Sequence, residues 1–163
     1  LILMMAYEPM LMIAAIGLYM ATGTFVVHDI LQAPRPLIFQ LPGIFLGLVF
    51  ILTIKFRKSP FDLSMSHHGH QEVVKGLTTE FAGPALAMIE VAHWYENILL
   101  LGLVYLFFAW YPPAAVIATL LTYFAEVFID NTYARTKWHQ AVKWSWIVAG
   151  TLGVGNIVLL YLL

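Results

Sequence analysis

The chain has 163 residues, of which 61% are hydrophobic and 10% are charged, and its mean hydropathy is +0.84. Its eight Lys and Arg and nine Asp and Glu are too few to cover a soluble domain of this size, so the composition excludes an ordinary soluble protein and makes the lipid bilayer the solvent. The formal net charge of -1 argues against nucleic-acid binding, and the absence of cysteine excludes disulfides, thiolate-bound iron-sulfur clusters and a cysteine nucleophile in this chain.

The apolar residues form long runs without strand-like alternation, which favours helices over a transmembrane barrel. A bilayer crossing by a helix needs roughly 20 apolar residues. The sequence therefore predicts an all-α integral membrane protein, a polytopic bundle of about five transmembrane helices forming one domain over residues 1–163. The predicted spans lie at about residues 1–27, 38–56, 81–110, 114–133 and 139–163.

The basic residues predict the orientation of these spans. When the spans alternate across the bilayer, Arg35 falls on one side and the other seven Lys and Arg fall on the opposite side. Because cytoplasmic loops carry the excess of basic residues, the long loop at 57–80 is predicted to be cytoplasmic, as is Leu1. The seven residues on that side are Lys55, Arg57, Lys58, Lys75, Arg135, Lys137 and Lys143.

The first span carries an acid, Glu8, near its predicted cytoplasmic end. Pro9 follows it, and the missing N–H of proline loosens the helical hydrogen bonding there. An ionisable group within a membrane span is costly to keep and usually marks a function, so Glu8 is a candidate member of an ion pathway.

The segment 57–80 reads RKSPFDLSMSHHGHQEVVKGLTTE and is too polar to lie in hydrocarbon. Within it, His67, His68 and His70 are compatible with zinc or nickel binding completed by Glu72, with docking or proton buffering, or with simple solvation of the loop. We favour docking or proton buffering and predict no metal site, because no cysteine completes an obvious ligand set.

Ionisable residues recur along the third span, where Glu80 stands at its start and Glu90, His93 and Glu96 follow. Neighbours in the trio are three residues apart, so they can approach each other across one helical turn. Carboxyl groups in apolar surroundings can exchange protons near neutral pH, so these four residues and Glu8 predict an ion pathway. Glu80 also has a plainer reading, as an interfacial acid that begins a helix.

Two further acids, Glu126 and Asp130, share a face of the fourth predicted span. They lie close in sequence to Arg135 and Lys137. A structural ion pair, or acids that reach the membrane interface, is therefore the expected role of these two residues, and they are left out of the predicted pathway.

Three sequence blocks resemble a known family: residues 60–63 read Pro-Phe-Asp-Leu, residues 72–76 read Glu-Val-Val-Lys-Gly, and residues 80–83 read Glu-Phe-Ala-Gly. In this order and spacing, they resemble the signature loop of the membrane subunit shared by respiratory complex I and membrane-bound nickel-iron hydrogenases. The pair at residues 7–8, Tyr-Glu, resembles a pair that precedes this loop in the family.

The resemblance implies functional roles for Glu8, Asp62, Glu72 and Glu80. It implies that Asp62, Glu72 and the three histidines between them form a coupling loop at the junction with a hydrophilic arm. Proton carriage by the deeper acids of the third span matches the family less closely.

Two departures resemble one branch of the family. Residues 66–71 read Ser-His-His-Gly-His-Gln where respiratory members carry several acids, and His93 occupies a slot that those members fill with glutamate. The His-rich loop is similar to that of Ech-type energy-converting nickel-iron hydrogenases. Family members have about eight spans, so the chain is expected to be the C-terminal part of a longer subunit.

This branch implies a subunit that anchors a ferredoxin-linked, hydrogen-evolving hydrogenase and links its electron transfer to proton or sodium translocation, in the plasma membrane of a bacterium or archaeon. No catalytic or cofactor-binding residue is expected in this chain. Iron-sulfur clusters and a nickel-iron centre would lie in partners, namely the hydrogenase large and small subunits and an iron-sulfur subunit, beside an antiporter-like membrane subunit. Two alternatives stay open: a quinone-site subunit of a complex I-like NADH or ferredoxin dehydrogenase, and a passive membrane anchor.

Overall fold

The computed structural model describes residues 2–33, 35–56, 81–134 and 136–162. Regular structure throughout those ranges is helical, as the sequence predicts. The helices are α1 (Ile2–Thr22), α2 (Val27–Leu31), α3 (Leu37–Gln40), α4 (Pro42–Lys55), α5 (Pro84–Phe107), α6 (Pro112–Thr132), α7 (Trp138–Val148) and α8 (Gly155–Leu162), with a π-helical segment at Ala149–Val154 between α7 and α8.

Four stretches of helix are long and apolar enough to cross a membrane: Met5–Thr22, Pro84–Phe107, Pro112–Thr132 and His139–Leu162. The fifth apolar helix, α4, is shorter, with 14 residues. At 1.5 Å per residue it is about 21 Å long, less than the hydrocarbon thickness of about 30 Å. The predicted all-α membrane bundle is confirmed, with one of the five expected spans reduced to a short helix.

Two predicted boundaries were wrong for identifiable reasons. The first span was expected to reach residue 27, but α1 ends at Thr22 because Gly23 adopts a left-handed conformation with φ of 75°. The second span was expected to run unbroken from 38 to 56, but the helix breaks at Leu41, whose φ and ψ are -124° and 45°. The break follows from Pro42, because a proline disfavours helical backbone in the residue before it.

Helix α4 forms the centre of the described bundle. It packs against α1, α5, α6, α7 and the π-helical segment, and half of its residues are buried. Small residues allow the closest approaches, since an added Cβ at Gly43 would lie 2.6 Å from the carbonyl oxygen of Leu152. The ends of α4 are therefore held at fixed positions relative to the surrounding helices.

The start of α4 is capped by a side chain from another helix. Asn156, 7% exposed, accepts hydrogen bonds at Oδ1 from the backbone N–H groups of Gly43 (2.8 Å) and Ile44 (3.1 Å). Its Nδ2 donates to the carbonyl oxygen of Gln40 at 3.1 Å. Since Pro42 has no N–H, and the next free N–H, on Phe45, bonds to the carbonyl oxygen of Leu41, the first turn of α4 is left with no unsatisfied donor.

We expect the Gly43→Ala variant to be destabilised by about 1–3 kcal/mol, because its new methyl group would meet a backbone oxygen that cannot rotate away. The matched control is Gly102→Ala in α5, where an added Cβ has no neighbour within 4 Å. Thermal unfolding in detergent compares the two variants. Equal stability of both would show that the backbone of Leu152 moves aside freely.

Candidate functional site

Three helices bring an ion pair and an aromatic ring together at one end of the bundle. Lys55, the last residue of α4, forms a salt bridge and hydrogen bond through Nζ to Oε1 of Glu96 on α5. The same Nζ lies 4.1 Å from the centroid of the Tyr7 ring on α1. These residues, here called the Lys55 cluster, join α1, α4 and α5 through one ammonium group.

The Lys55 cluster is partly shielded from its surroundings. The side chain of Lys55 is 13% exposed and that of Glu96 is 39% exposed, while Tyr7 is 8% exposed. A cation over an aromatic face contributes about 0.5–2 kcal/mol, the upper value applying to desolvated pairs. A shielded ammonium group that loses its carboxylate partner is left as an uncompensated charge, so the three side chains depend on each other.

The other predicted pathway residues in the described structure do not join this cluster. Glu8 and Glu90 are exposed, and His93 is half-buried. On a helix with 3.6 residues per turn, six residues separate Glu90 and Glu96 by about 120° around the axis. This difference explains why Glu96 faces α4 and Glu90 does not, and whether Glu90 carries ions stays a prediction.

Glu126 differs most from expectation. It is 1% exposed, and neither of its carboxylate oxygens has a hydrogen-bond partner. Across the described residues it forms no ion pair, contrary to the role that its proximity to Arg135 and Lys137 suggested. The reason is geometric, because Glu126 shares the buried face of α6 with Ala115 and Thr122, whereas the basic residues follow the end of the helix.

Several predicted residues lie outside the described part of the chain. These are Glu80 of the pathway, and Asp62, His67, His68, His70 and Glu72 of the coupling loop. Their roles stay predictions. Over the ranges that the structure does describe, there is no group of three His, Cys, Asp or Glu side chains that could hold a metal ion.

Sequence reasoning did not place Lys55, Tyr7 or Glu126 in the site. Lys55 counted only as one of the basic residues that set the topology. Two signals could have found these residues: a basic residue at the end of an apolar span calls for a nearby acid, and an acid inside an apolar span calls for an explanation of its own.

Comparisons with known proteins agree with the helical membrane architecture. A family described as NADH dehydrogenase matches residues 1–161. The chain is similar to one subunit of the NADH-quinone oxidoreductase of Methylococcus capsulatus, with 30% identity over 94% of this chain and 51% of the relative. It is also similar to the equally named protein of Geobacillus kaustophilus, with 27% identity over 96% of this chain and 50% of the relative.

The chain thus spans about half the length of the curated relatives that it matches. No solved structure matches it at a comparable level of significance. The apolar helices and the bacterial relatives together confirm the expected location, a multi-pass protein of a prokaryotic plasma membrane.

Proposed function

The chain belongs to the NADH dehydrogenase family, and from that membership we propose that it is a membrane subunit of a complex I-like oxidoreductase, in which it couples electron transfer to ion translocation. The names of its relatives favour a quinone-reducing complex as the setting. This was the alternative reading of the sequence, and it now has more support than the hydrogenase reading.

The observation that carries the coupling role is the Lys55 cluster. It is an ion pair between helices of an apolar bundle, and α4 ends at Lys55, two residues before the polar segment 57–80. That segment holds the blocks that resemble the family's coupling loop. A change in charge or conformation of the segment would therefore reach Lys55 directly through the chain.

The chemistry proposed for the cluster is reversible proton binding at Glu96. An electron that arrives on a redox centre near the loop changes the electric field at nearby ionisable groups, and a charge change a few ångströms away shifts their protonation. When Glu96 binds a proton, its attraction for the Lys55 ammonium is lost, although the contact with the Tyr7 ring remains. The cluster therefore has two charge states, and the change between them can be passed to α1 and α5.

The partners proposed for this subunit are a hydrophilic arm on the cytoplasmic side and an antiporter-like membrane subunit. Because the chain has no cysteine, iron-sulfur clusters would be held by the arm. Glu8, Glu80, Glu90 and His93 extend the proposed ion pathway on either side of the Lys55 cluster.

A second candidate is the hydrogen-evolving hydrogenase complex. It is favoured by His67, His68 and His70 in the coupling loop and by His93 in a slot that respiratory members fill with glutamate. In that case the same subunit would serve a nickel-iron enzyme, and quinone would have no role.

One purification separates the two candidates. We expect the full-length chain, purified with its partners in mild detergent, to support electron transfer to a soluble quinone analogue and to contain iron but no stoichiometric nickel. Stoichiometric nickel together with hydrogen evolution and no quinone reduction would instead establish the hydrogenase. Electron transfer without any ion uptake in proteoliposomes would leave the passive anchor.

A further inference from the structure

One buried polar side chain in the described part of the chain has no hydrogen-bond partner. Four buried polar residues are satisfied: Thr53 donates to the carbonyl oxygen of Phe50 (2.5 Å), Thr122 to that of Ala118 (2.9 Å), and Ser145 to that of Ala141 (2.8 Å), while Asn156 caps α4. Glu126 is the exception, since both of its oxygens are buried and unbonded. Buried polar groups are usually paired, so an unpaired one calls for a reason.

The position of Glu126 places it beside the Lys55 cluster in depth. Helices α5 and α6 form an antiparallel pair with a short turn between them, so Glu126 and Glu96 stand about one helical turn apart along the bundle. Tyr123, one turn before Glu126, makes an edge-to-face contact with Phe56, the residue after Lys55, with ring centroids 6.3 Å apart. The end of α4 therefore lies against the same part of α6.

Other titratable groups lie on the helices of this region but do not bond to Glu126. Within the described residues, α4 and α5 pack against α6, and those helices and α6 itself carry Lys55, Glu90, His93, Tyr95, Glu96, Tyr105, Tyr123 and Asp130. Lys55 is engaged by Glu96 on α5. An ionised Glu126 would thus be held without a counter-charge that bonds to it, which is costly in apolar surroundings, and a bound proton removes the charge.

A proton fits this position better than a metal cation does. Metal cations such as Ca²⁺ and Mg²⁺ require about six oxygen ligands, whereas helical spacing brings one other oxygen-bearing side chain of the same face, Thr122, next to Glu126. The Thr122 hydroxyl already donates to Ala118, and the described residues contain no group of three potential ligands. A single carboxyl group is sufficient to carry a proton.

We propose that Glu126 is a proton-binding site of the ion pathway, on α6, adjacent in depth to the Lys55 cluster on α4 and α5. A carboxylate oxygen of Glu126 accepts a proton and later releases it, so the O–H bond that forms is the one that breaks, and no electron is gained or lost. The inference rests on the proposed function, because ion translocation by the complex is what the proton transfer would serve.

The experiment uses the full-length chain in its purified complex, reconstituted into proteoliposomes. Four forms are compared: wild type, Glu126→Gln, Glu96→Gln and the exposed acid variant Asp29→Asn on α2. We expect Glu126→Gln to retain electron transfer and lose proton uptake, and Asp29→Asn to behave as wild type. Normal pumping by Glu126→Gln with loss in Glu96→Gln would overturn the role of Glu126 and leave the proposed function intact, whereas normal pumping by both would overturn both.

Site-resolved labelling of the unmodified complex gives an independent answer if Glu126→Gln does not assemble. A hydrophobic carbodiimide reacts with protonated carboxyl groups in apolar surroundings, and mass spectrometry locates the adduct. We expect an adduct on Glu126 that decreases as the pH is raised. Absence of the adduct, or protection by sodium ions at constant pH, would overturn the assignment of a proton site.

Discussion

The Glu96→Gln variant is expected to keep electron-transfer activity and to lose ion pumping. Glutamine preserves the size of the side chain and can accept a hydrogen bond from Lys55, but it cannot bind and release a proton or carry the opposing charge. Electron transfer would continue because the chain has no cysteine to hold the clusters that carry it. The measurement is the ratio of ions taken up to electrons transferred, in proteoliposomes containing the purified complex.

Two comparisons make this result specific. Lys55→Met should disturb pumping as Glu96→Gln does, because it removes the other half of the same ion pair. The double variant should be more stable than either single one, since removing both charges leaves none uncompensated. Unaltered pumping in Glu96→Gln would exclude the Lys55 cluster from the pathway, and Asp29→Asn serves as the exposed-acid control.

Much of the helical architecture could be predicted because apolar run length and proline position determine it. The predicted spans at 81–110 and 114–133 correspond closely to α5 and α6, whose shared boundary is marked by Pro112. The first two spans were predicted less well, because a single residue at the end of each helix decided the outcome. Gly23 ended α1 early, and Pro42 divided the second span.

The candidate site was harder to predict because it depends on which helix faces meet. The sequence drew attention to Glu90, His93 and Glu96 as a trio along one helix. The partner of Glu96 is 41 residues away in sequence, on α4, and spacing along a single helix carries no information about it. Glu126 was misread for a similar reason, since basic residues close in sequence counted for more than the helix face on which the carboxyl group lies.

The Asn156→Leu variant is expected to have the largest effect on stability among substitutions away from the Lys55 cluster. Leucine fills a similar volume but leaves the N–H groups of Gly43 and Ile44 and the carbonyl oxygen of Gln40 without partners. Each unsatisfied buried group costs about 1–3 kcal/mol, so a loss of roughly 3 kcal/mol or more is expected. The measurement is the free energy of unfolding, or the melting temperature, of the purified protein in detergent.

The matched control is Asn131→Leu on α6, where an exposed asparagine donates a hydrogen bond to the carbonyl oxygen of Val127. That substitution is expected to change stability by less than about 0.5 kcal/mol, because water or headgroups can replace the lost bond. If both variants were equally stable, the first turn of α4 would have to find other acceptors. A large difference would show that this helix, too short for the hydrocarbon thickness, is held in position by Asn156, so that Lys55 at its other end meets Glu96.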